Sequence, residues 1–329
     1  MTNDSAPLLS LRNVRKWFPV ASSKIGERKT YVHAVNDVSL DIKRGETLGI
    51  VGESGCGKTT LGRAMIRLQK LTGGRVIFDG EDITNYNEKQ LRPLRKHMQV
   101  IFQDPYSSLD PRMTVSDIIA EPFVFQNMYT KTERAERVRE LMSLCGLDPI
   151  YARRYAHEFS GGQRQRIGIA RALALTPQFI LCDEPVSALD VSIQSQILNL
   201  LISLQKKSGL TYAFISHNLS VVYHISDRIA VMYLGYVVEL APRKELYFHA
   251  VHPYTKALLK SIPKISFDSE PIKAQLRGDL PNPVNLPGGC VFCTRCPNSK
   301  GRCQMELPLL REIAPGHQVA CHYAEETTA

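Results

Sequence analysis

One run of eight residues constrains the fold of this chain more than any other segment. It fits the pattern G-x-x-x-x-G-K-[ST] in full and consists of Gly52, Glu53, Ser54, Gly55, Cys56, Gly57, Lys58 and Thr59. The run follows an apolar stretch of strand type, Thr47 to Val51, and precedes a helical stretch, Leu61 to Leu68. Glycines let such a loop wrap around phosphates, while its N–H groups and the helix N-terminus point at the anion. We expect Lys58 to neutralise the β- and γ-phosphates of a nucleotide and Thr59 to offer its hydroxyl to Mg²⁺.

Short apolar segments alternate with helix-like segments over most of the chain. Residues 113–158 carry apolar positions every three or four residues, as a helix does, whereas 19–33 are predicted to be a polar loop. Fully apolar strands between helices indicate a parallel sheet covered on both faces, so the predicted fold class is α/β. The predicted strands are Leu8 to Val14, Val38 to Ile42, Thr47 to Val51, Gly74 to Asp79, Val100 to Phe102, Phe179 to Cys182, Ala213 to Ile215 and Ile229 to Met232.

A second motif lies where one of these apolar strands ends. The segment Phe179 to Cys182 is followed by two acids, Asp183 and Glu184. Sites of α/β proteins lie at the carboxyl edge of the sheet, where such a strand delivers its last residues. We expect Asp183 to bind Mg²⁺ through water and Glu184 to polarise the water that attacks the γ-phosphate. The motif is weak alone, because apolar residues followed by acids are common, but it is strong beside a phosphate loop.

Composition bounds the class of protein. The 329 residues suggest about two domains, or one large domain with an appendage. The net charge of +9 is compatible with binding to nucleic acid, to an anionic membrane surface or to phosphate ligands, and equally with a basic surface that is merely solvated. The sequence contains no long run of Lys or Arg that would favour binding to nucleic acid. No stretch approaches about 18 consecutive apolar residues, and the polar Met1 to Pro7 contains no secretory signal, so we expect a cytosolic protein.

Four further motifs resemble those of the ATP-binding cassette (ABC) ATPases. They match the family's Mg²⁺- and water-sensing glutamine, its signature, the loop that crosses the dimer interface and the switch histidine: respectively Gln103, Ser160-Gly161-Gly162-Gln163, Ser187 to Asp190, and His217. The signature begins 23 residues before Asp183, as the family requires, and Phe159 precedes it where leucine is commoner. With the phosphate loop and the acids, the resemblance covers about residues 8–240.

The resemblance implies a fold and a division into domains. The fold is a phosphate-loop parallel-sheet core with an antiparallel β subdomain and an inserted helical subdomain at about 105–165. Residues 1–245 would form the nucleotide-binding domain and 246–329 an irregular Cys-rich appendage. Two chains, head to tail, would sandwich two ATP molecules. The reason is that the helix start at Ser160 is an anion-binding element in addition to the phosphate loop, and it would reach the nucleotide of the partner chain.

The same resemblance implies roles for individual residues. ATP would be bound by the phosphate loop with Thr60, by Phe18 rather than Trp17 as adenine platform, and by Ser160, Gly161, Gly162 and Gln163. Mg²⁺ would be held by Thr59, Gln103 and Asp183. Catalysis would depend on Glu184, His217 and Gln103, with His217 contacting the γ-phosphate and Glu184.

A finer resemblance is to the ATPases of oligopeptide and dipeptide importers. It rests on residues 102–112, 184–192, 252–259 and 288–297. It implies a second type of ATPase subunit in a heterodimer, two membrane permeases, an extracytoplasmic solute-binding protein and a place at the cytoplasmic face of the cell (inner) membrane, with no nucleic acid partner. The alternatives are an importer ATPase for nickel, glutathione or a sugar, a soluble cassette protein acting on DNA or ribosomes, and an exporter ATPase. In this family a groove beside Gln103 receives a permease helix, and Tyr106, Glu121, Pro122 and Phe123 are candidate contacts.

Five of the eight cysteines crowd the last 40 residues, in a proline-rich segment predicted to be irregular from about Pro242 onward. In a reducing cytosol such a cluster indicates metal binding before disulfides. Cys290, Cys296, Cys303 and Cys321 are separated by five, six and seventeen residues, and this spacing resembles that of importer ATPases that bind a [4Fe–4S] cluster. Cys293 is additional, so which four bind is open. Zinc and free thiols are the alternatives. We expect a structural metal whose loss leaves ATP binding at Lys58 intact.

Overall fold

The computed structural model describes residues 6–20, 29–104, 106–262 and 281–327. Most of the predicted loop at 19–33, Pro105 and the prolines at 263 and 271 lie outside the described residues. The chain forms two compact units. The first unit comprises Lys43–Glu46 and Asn85–Phe214, and the second unit Ala6–Ile42, Thr47–Thr84 and Ile215–Ala329. Within the described residues, none of the helices is long and apolar enough to cross a membrane.

The described residues contain twelve strands and ten α-helices, together with short 3₁₀ helices, turns and loops. The strands are β1 Leu9–Pro19, β2 Tyr31–Ile42, β3 Thr47–Val51, β4 Gly73–Phe78, β5 Glu81–Asp82, β6 Met98–Ile101, β7 Phe179–Asp183, β8 Thr211–Ile215, β9 Arg228–Tyr233, β10 Tyr236–Pro242, β11 Arg311–Ala314 and β12 His317–Val319. The helices are α1 Lys58–Met65, α2 Glu88–Leu94, α3 Val115–Phe125, α4 Lys131–Leu144, α5 Gly161–Leu173, α6 Val191–Ser208, α7 Leu219–Ile225, α8 Arg243–Phe248, α9 Pro253–Lys260 and α10 Gly301–Met305.

The first unit combines helices α2 to α6 with strands β6, β7 and β8. Strand β6 pairs in parallel with β7, and β8 lies on the other side of β7. Both β7 and β8 are buried along their whole length, which explains their continuous apolar sequence. The helical prediction for 113–158 is confirmed as α3, α4 and two 3₁₀ turns, Pro149–Arg153 and Ala156–Glu158. Threonine side chains cap the N-termini of α3 and α4.

The second unit contains two kinds of sheet. The first is antiparallel, in the order β2-β1-β4-β5, with Leu9 opposite Ile42 in β2 and Phe78 in β4. In the other, β3 pairs in parallel with β9, and β10 returns antiparallel to β9. Strand β3 is buried throughout and leads into the glycine-rich run. An antiparallel β subdomain beside a parallel pair that carries the loop is what the resemblance implies.

The C-terminal segment is more regular than its sequence predicts. Helices α8 and α9 follow β10, and β12 pairs antiparallel with β10 and with β11. The prediction of an irregular, loop-rich segment does not include these short elements, which are separated by turns and loops in the described residues. A strand of three residues, such as His317–Val319, is too short to show a period of two, and it forms because β10 offers an open edge with unpaired backbone groups.

Candidate nucleotide site and the residues around it

The glycine-rich run forms a loop between β3 and α1. Gly57, the residue before α1, has φ of 105°, and a Cβ there would lie 2.0 Å from the carbonyl oxygen of Ala34. Only glycine fits such a backbone approach in the left-handed region. The loop therefore turns tightly and leads directly into α1, and the N-terminus of a helix favours anions.

Lys58 is already held against this loop. Its Nζ donates hydrogen bonds to the carbonyl oxygens of Gly52 at 2.8 Å and Glu53 at 2.9 Å, and the residue is 5% exposed. The thiol of Cys56 is buried as well, and burial raises its pKa although Lys58 opposes the shift. The ammonium group is thus fixed by the first two residues of the loop.

Asp183 and Glu184 lie at the end of the buried strand β7 in the first unit. Asp183 is 2% exposed, whereas Glu184 is half-buried and has a φ of 49°, an unusual value for a residue with a side chain. Gln103 Nε2 donates a hydrogen bond to Glu184 Oε2 at 3.1 Å, and the hydroxyl of Ser187 donates to the carbonyl oxygen of Glu184. The structure thus brings two predicted catalytic residues, Gln103 and Glu184, into direct contact. Such strain is typical of functional sites.

The signature residues form the start of α5. The Ser160 hydroxyl accepts a hydrogen bond from the backbone N–H of Gln163, and the Gln163 side chain accepts one from the backbone N–H of Ser160. This reciprocal capping box fixes the helix start. A Cβ at Gly162 would lie 2.5 Å from the side chain of Ile193, so glycine allows α5 to pack closely on α6. Ser160 and Gln163 are exposed.

Two other predicted site residues lie in the second unit. His217 follows β8 and is exposed, directly before Asn218, whose side chain caps α7. Phe18 lies on β1, half-buried, with the Lys16 ammonium 4.7 Å from its ring centroid. Trp17 is engaged differently, since its Nε1 donates to Asn36 at 2.8 Å and its ring lies 4.5 Å from that of His33. These contacts hold the Trp17 side chain of β1 against β2. Of the two aromatic residues, Phe18 is therefore favoured as the platform for adenine.

One predicted contact surface needs correction. Phe123 is 1% exposed and packs with Ala174 and Leu175 inside the first unit, so it is a core residue and not a groove contact. The helical period correctly placed it on one face but could not say which face is buried. Tyr106, in contrast, is 60% exposed, and the Arg164 guanidinium lies 4.0 Å from its ring centroid.

All five C-terminal cysteines line a single cavity, together with Phe292 and His322 among other residues. Burial raises the pKa of Cys290 to about 12, and it also raises those of Cys296 and Cys321. In each of these three, the backbone N–H two residues further on is hydrogen-bonded to the thiol and opposes the shift: Phe292, Asn298 and Tyr323. Within the described ranges, however, no group of three or more His, Cys, Asp or Glu side chains is placed to hold one metal ion.

Sequence reasoning missed a link between this cysteine-lined cavity and the phosphate loop. The Arg295 guanidinium donates to both carboxylate oxygens of Glu53, at 2.8 and 3.1 Å, and the Tyr254 hydroxyl accepts a hydrogen bond from the Glu53 backbone N–H at 2.9 Å. Glu53 occupies a variable position of the loop pattern and Arg295 a position between cysteines, so neither motif marks them. The segment His252 to Leu259 contains Tyr254, but its resemblance to importer ATPases implies no contact with the phosphate loop.

Comparison with known proteins gives the family. The family model described as "ABC transporter" matches residues 35–187, and the model described as "Oligopeptide/dipeptide transporter, C-terminal region" matches residues 238–303. The oligopeptide transport ATP-binding protein AppF of Bacillus subtilis is 56% identical over 319 residues, which cover 96% of this chain and 97% of AppF. A putative peptide import ATP-binding protein of Brucella ovis is 51% identical over 315 residues, which cover 96% of this chain and 97% of that protein.

Solved structures agree with this assignment. The dimeric ATP-binding cassette MJ0796, in a post-hydrolysis state bound to ADP and Pi, matches with a TM-score of 0.63 and 32% identity over 71% of this chain and 98% of that chain. CbiO1 of Clostridium perfringens, part of the ABC transporter complex CbiONQ, matches with a TM-score of 0.65 and 27% identity over 74% of this chain and 92% of that chain.

The chain therefore belongs to the ABC ATPases, enzymes that hydrolyse ATP with Mg²⁺. Within that class it belongs to the oligopeptide/dipeptide transporter family, because both halves of the chain match and the relatives extend over nearly its whole length. The family and the ABC ATPase fold predicted from the sequence motifs are confirmed.

Proposed function

We propose that this chain is the ATP-hydrolysing subunit of a peptide importer. The observation that carries the proposal is the Gln103–Glu184 contact at the end of β7, since it holds the carboxylate of a residue with a strained backbone beside the residue expected to sense Mg²⁺ and water. Relatives named for oligopeptide transport and peptide import support the peptide substrate. The chain works as a head-to-tail dimer with a second ATPase subunit under two permeases, at the cytoplasmic face of the membrane, and a solute-binding protein delivers the peptide outside.

The roles follow from the chemistry of each group. The phosphate loop with Lys58 binds the triphosphate, while Thr59, Gln103 and Asp183 hold Mg²⁺ directly or through water. Glu184 takes the proton of the attacking water, and the ammonium and N–H groups stabilise the charge that develops on the phosphoryl oxygens. Phe18 supplies the adenine platform, His217 contacts the γ-phosphate, and Ser160 to Gln163 reach the nucleotide of the partner subunit.

Peptide uptake tests this proposal directly. Cells that lack the chain are complemented with the wild type, with Glu184→Gln, or with Glu140→Gln as control, because Glu140 is an exposed carboxylate paired only across the surface of α4. We expect labelled peptide to enter cells with the wild type and with Glu140→Gln, and not with Glu184→Gln. Uptake of nickel, glutathione or a sugar in place of peptide would overturn the peptide assignment, and undiminished uptake with Glu184→Gln would overturn the catalytic one.

We further propose that Cys290, Cys296, Cys303 and Cys321 hold a structural [4Fe–4S] cluster. The support is chemical: the thiols converge on one cavity, and amide N–H groups at three of them stabilise thiolates. Cys293 differs from these three in that the backbone N–H groups hydrogen-bonded to its thiol are those of Thr294 and of Cys293 itself. Four thiolates around one zinc lie about 3.8 Å apart, given Zn–S bonds of about 2.3 Å, and the described thiols are not placed to share one ion.

Anaerobic purification separates the possibilities for the metal. A brown protein with about four irons and about four sulfides per chain supports the cluster. Stoichiometric zinc in a colourless protein keeps the ligands and overturns the cluster. If the protein purified without exposure to oxygen contains neither iron nor zinc, the proposal of a metal site is itself overturned. Cys293→Ser serves as the matched control, because it removes a thiol from the same cavity and is expected to keep the metal.

A further inference from the structure

Arg295 is buried and Glu53 is half-buried where the two side chains pair. The Arg295 side chain is 7% exposed and that of Glu53 24% exposed, and the two are joined by two parallel hydrogen bonds. Such fork-to-carboxylate pairs fix orientation as well as distance. Because both residues belong to the second unit, the pair is internal to one compact body.

Aromatic side chains hold Arg295 in place. Its guanidinium carbon lies 5.8 Å from the ring centroid of Tyr233, which itself packs against Tyr254 and Phe292 at 4.7 and 5.2 Å between ring centroids. These three rings are each at most 1% exposed. Together the three rings form a rigid aromatic wall. This wall fixes Arg295, and with it the cysteine-rich segment, relative to the phosphate loop.

Glu53 in turn touches the group that binds phosphate. Its carbonyl oxygen accepts a hydrogen bond from Lys58 Nζ, and its backbone N–H is bonded to the Tyr254 hydroxyl. The backbone of Glu53 is thus held on both sides, and its carboxylate is held by Arg295. Without the guanidinium, the Glu53 carboxylate would be a poorly hydrated negative charge beside the site of a polyphosphate, and it would repel the ligand.

We propose that Arg295 is a positioning residue for nucleotide binding: through Glu53 it holds Lys58 and the phosphate loop ready for the phosphates of ATP. This inference rests on the proposed assignment of the loop at Gly52 to Thr59. It makes the cysteine-rich segment part of the nucleotide site, whereas the sequence suggested an independent appendage. ATP affinity then depends on the integrity of a segment that lies outside the phosphate loop in the sequence.

The experiment measures the Kd of a fluorescent ATP analogue, the turnover at saturating ATP and the melting temperature of the purified full chain. We expect Arg295→Gln to raise Kd about tenfold, because it leaves Glu53 charged and unpaired, while turnover at saturation changes little. The double variant Glu53→Gln with Arg295→Gln removes both charges, so its Kd should fall between those of the wild type and Arg295→Gln. Arg302→Gln is the control, since Arg302 pairs with Glu306 on the exposed face of the same segment.

Each outcome decides a different point. A lower melting temperature with an unchanged Kd in Arg295→Gln would show a purely structural role and overturn the inference. If Arg295→Gln does not fold, an unchanged Kd in the double variant overturns it equally. Lys58→Ala separates this from the proposed function: if Lys58→Ala keeps its affinity for ATP, the phosphate loop itself is wrongly assigned, whereas lost affinity in Lys58→Ala with normal affinity in Arg295→Gln rejects the positioning role alone.

Discussion

The phosphate loop and the cysteine-lined cavity lie in the same compact unit but are shaped in different ways. The loop follows a strand buried along its whole length, and glycine geometry fixes its turn. The cysteines are carried largely by turns and the short helix α10, and Cys321 follows the three-residue strand β12. Local backbone chemistry therefore specifies the loop, whereas the cavity collects thiols from separate turns, and burial raises the pKa of the Cys290 thiol among them.

The comparison teaches that the phosphate loop, which follows a regular strand, depends on a contact from the less regular cysteine-rich segment. Glu53 belongs to the loop and Arg295 to the cysteine-rich segment, 242 residues further along the chain. A buried ion pair is weak evidence of stability, but breaking one leaves an uncompensated charge. A change in the cysteine-rich segment should therefore alter ATP binding, whereas a change in the chemistry of ATP hydrolysis should leave the cysteine-rich segment unaffected.

The largest expected effect is confined to the chemistry of hydrolysis. Glu184→Gln should lower ATP turnover by about 10²–10⁴-fold, because it removes the general base while the phosphate contacts remain. Steady-state hydrolysis and nucleotide occupancy in the assembled transporter measure the two quantities separately. The metal content of the cysteine-rich segment should stay unchanged. Turnover near that of the wild type would remove Glu184 from its role.

The next prediction crosses from the cysteines to the loop. Cys296→Ser should lose the metal and make residues after about 280 sensitive to proteases, since the segment lacks a large apolar core. Because Cys296 follows Arg295 directly, ATP affinity should also fall several-fold, contrary to the expectation from the sequence that ATP binding is independent. Protease mapping, metal analysis and nucleotide titration check the three parts. Intact ATP affinity in a metal-free Cys296→Ser variant would restore the independent appendage.

A pH effect of intermediate size arises at His252, which is 2% exposed and accepts a hydrogen bond from the Tyr254 N–H at Nδ1. Burial lowers its pKa from 6.5 to about 4, although Glu239 opposes the shift. Between these values the unfolded chain binds a proton that the folded chain does not. The free energy of unfolding should therefore decrease by up to about 3 kcal/mol as pH falls from 6.5 to 4, and the loss should be complete below that range.

His252→Asn provides the comparison for this pH effect, because asparagine keeps a capping acceptor for α9 but does not titrate. Denaturant unfolding of both proteins between pH 4 and 7 should give a smaller slope for the variant. Identical slopes would show that another group controls acid unfolding.

The smallest expected effect on the folded protein is at Tyr106. Its ring is 60% exposed and its main described contact is Arg164, so Tyr106→Ala should cost about 1 kcal/mol or less. Peptide uptake should nevertheless fall while ATP affinity is kept, because an exposed aromatic is the usual anchor for a partner. Uptake and thermal unfolding are measured on the same variant. Undiminished uptake would exclude Tyr106 from the permease contact.

The sequence by itself determined what is local. The G-x-x-x-x-G-K-[ST] run, the capping box from Ser160 to Gln163 and the acids that end β7 each depend on residues a few positions apart, whose backbone geometry follows from their own chemistry. The order of such motifs along the chain indicates an ABC ATPase, and the segments 102–112, 184–192, 252–259 and 288–297 indicate the oligopeptide/dipeptide transporter family. The fold class and the buried strands follow from the same short-range patterns.

Only the tertiary structure decided which distant side chains meet. It buried Phe123 and exposed Tyr106, gathered five cysteines around one cavity, added β12 to the edge of β10 and paired Arg295 with Glu53. Helical or strand periodicity gives the spacing of a face but not its neighbour, and a variable position in a motif gives no sign of its partner. Such contacts depend on how complete elements pack, because the free energy of a buried ion pair or aromatic wall is set by surroundings assembled from separate parts of the chain.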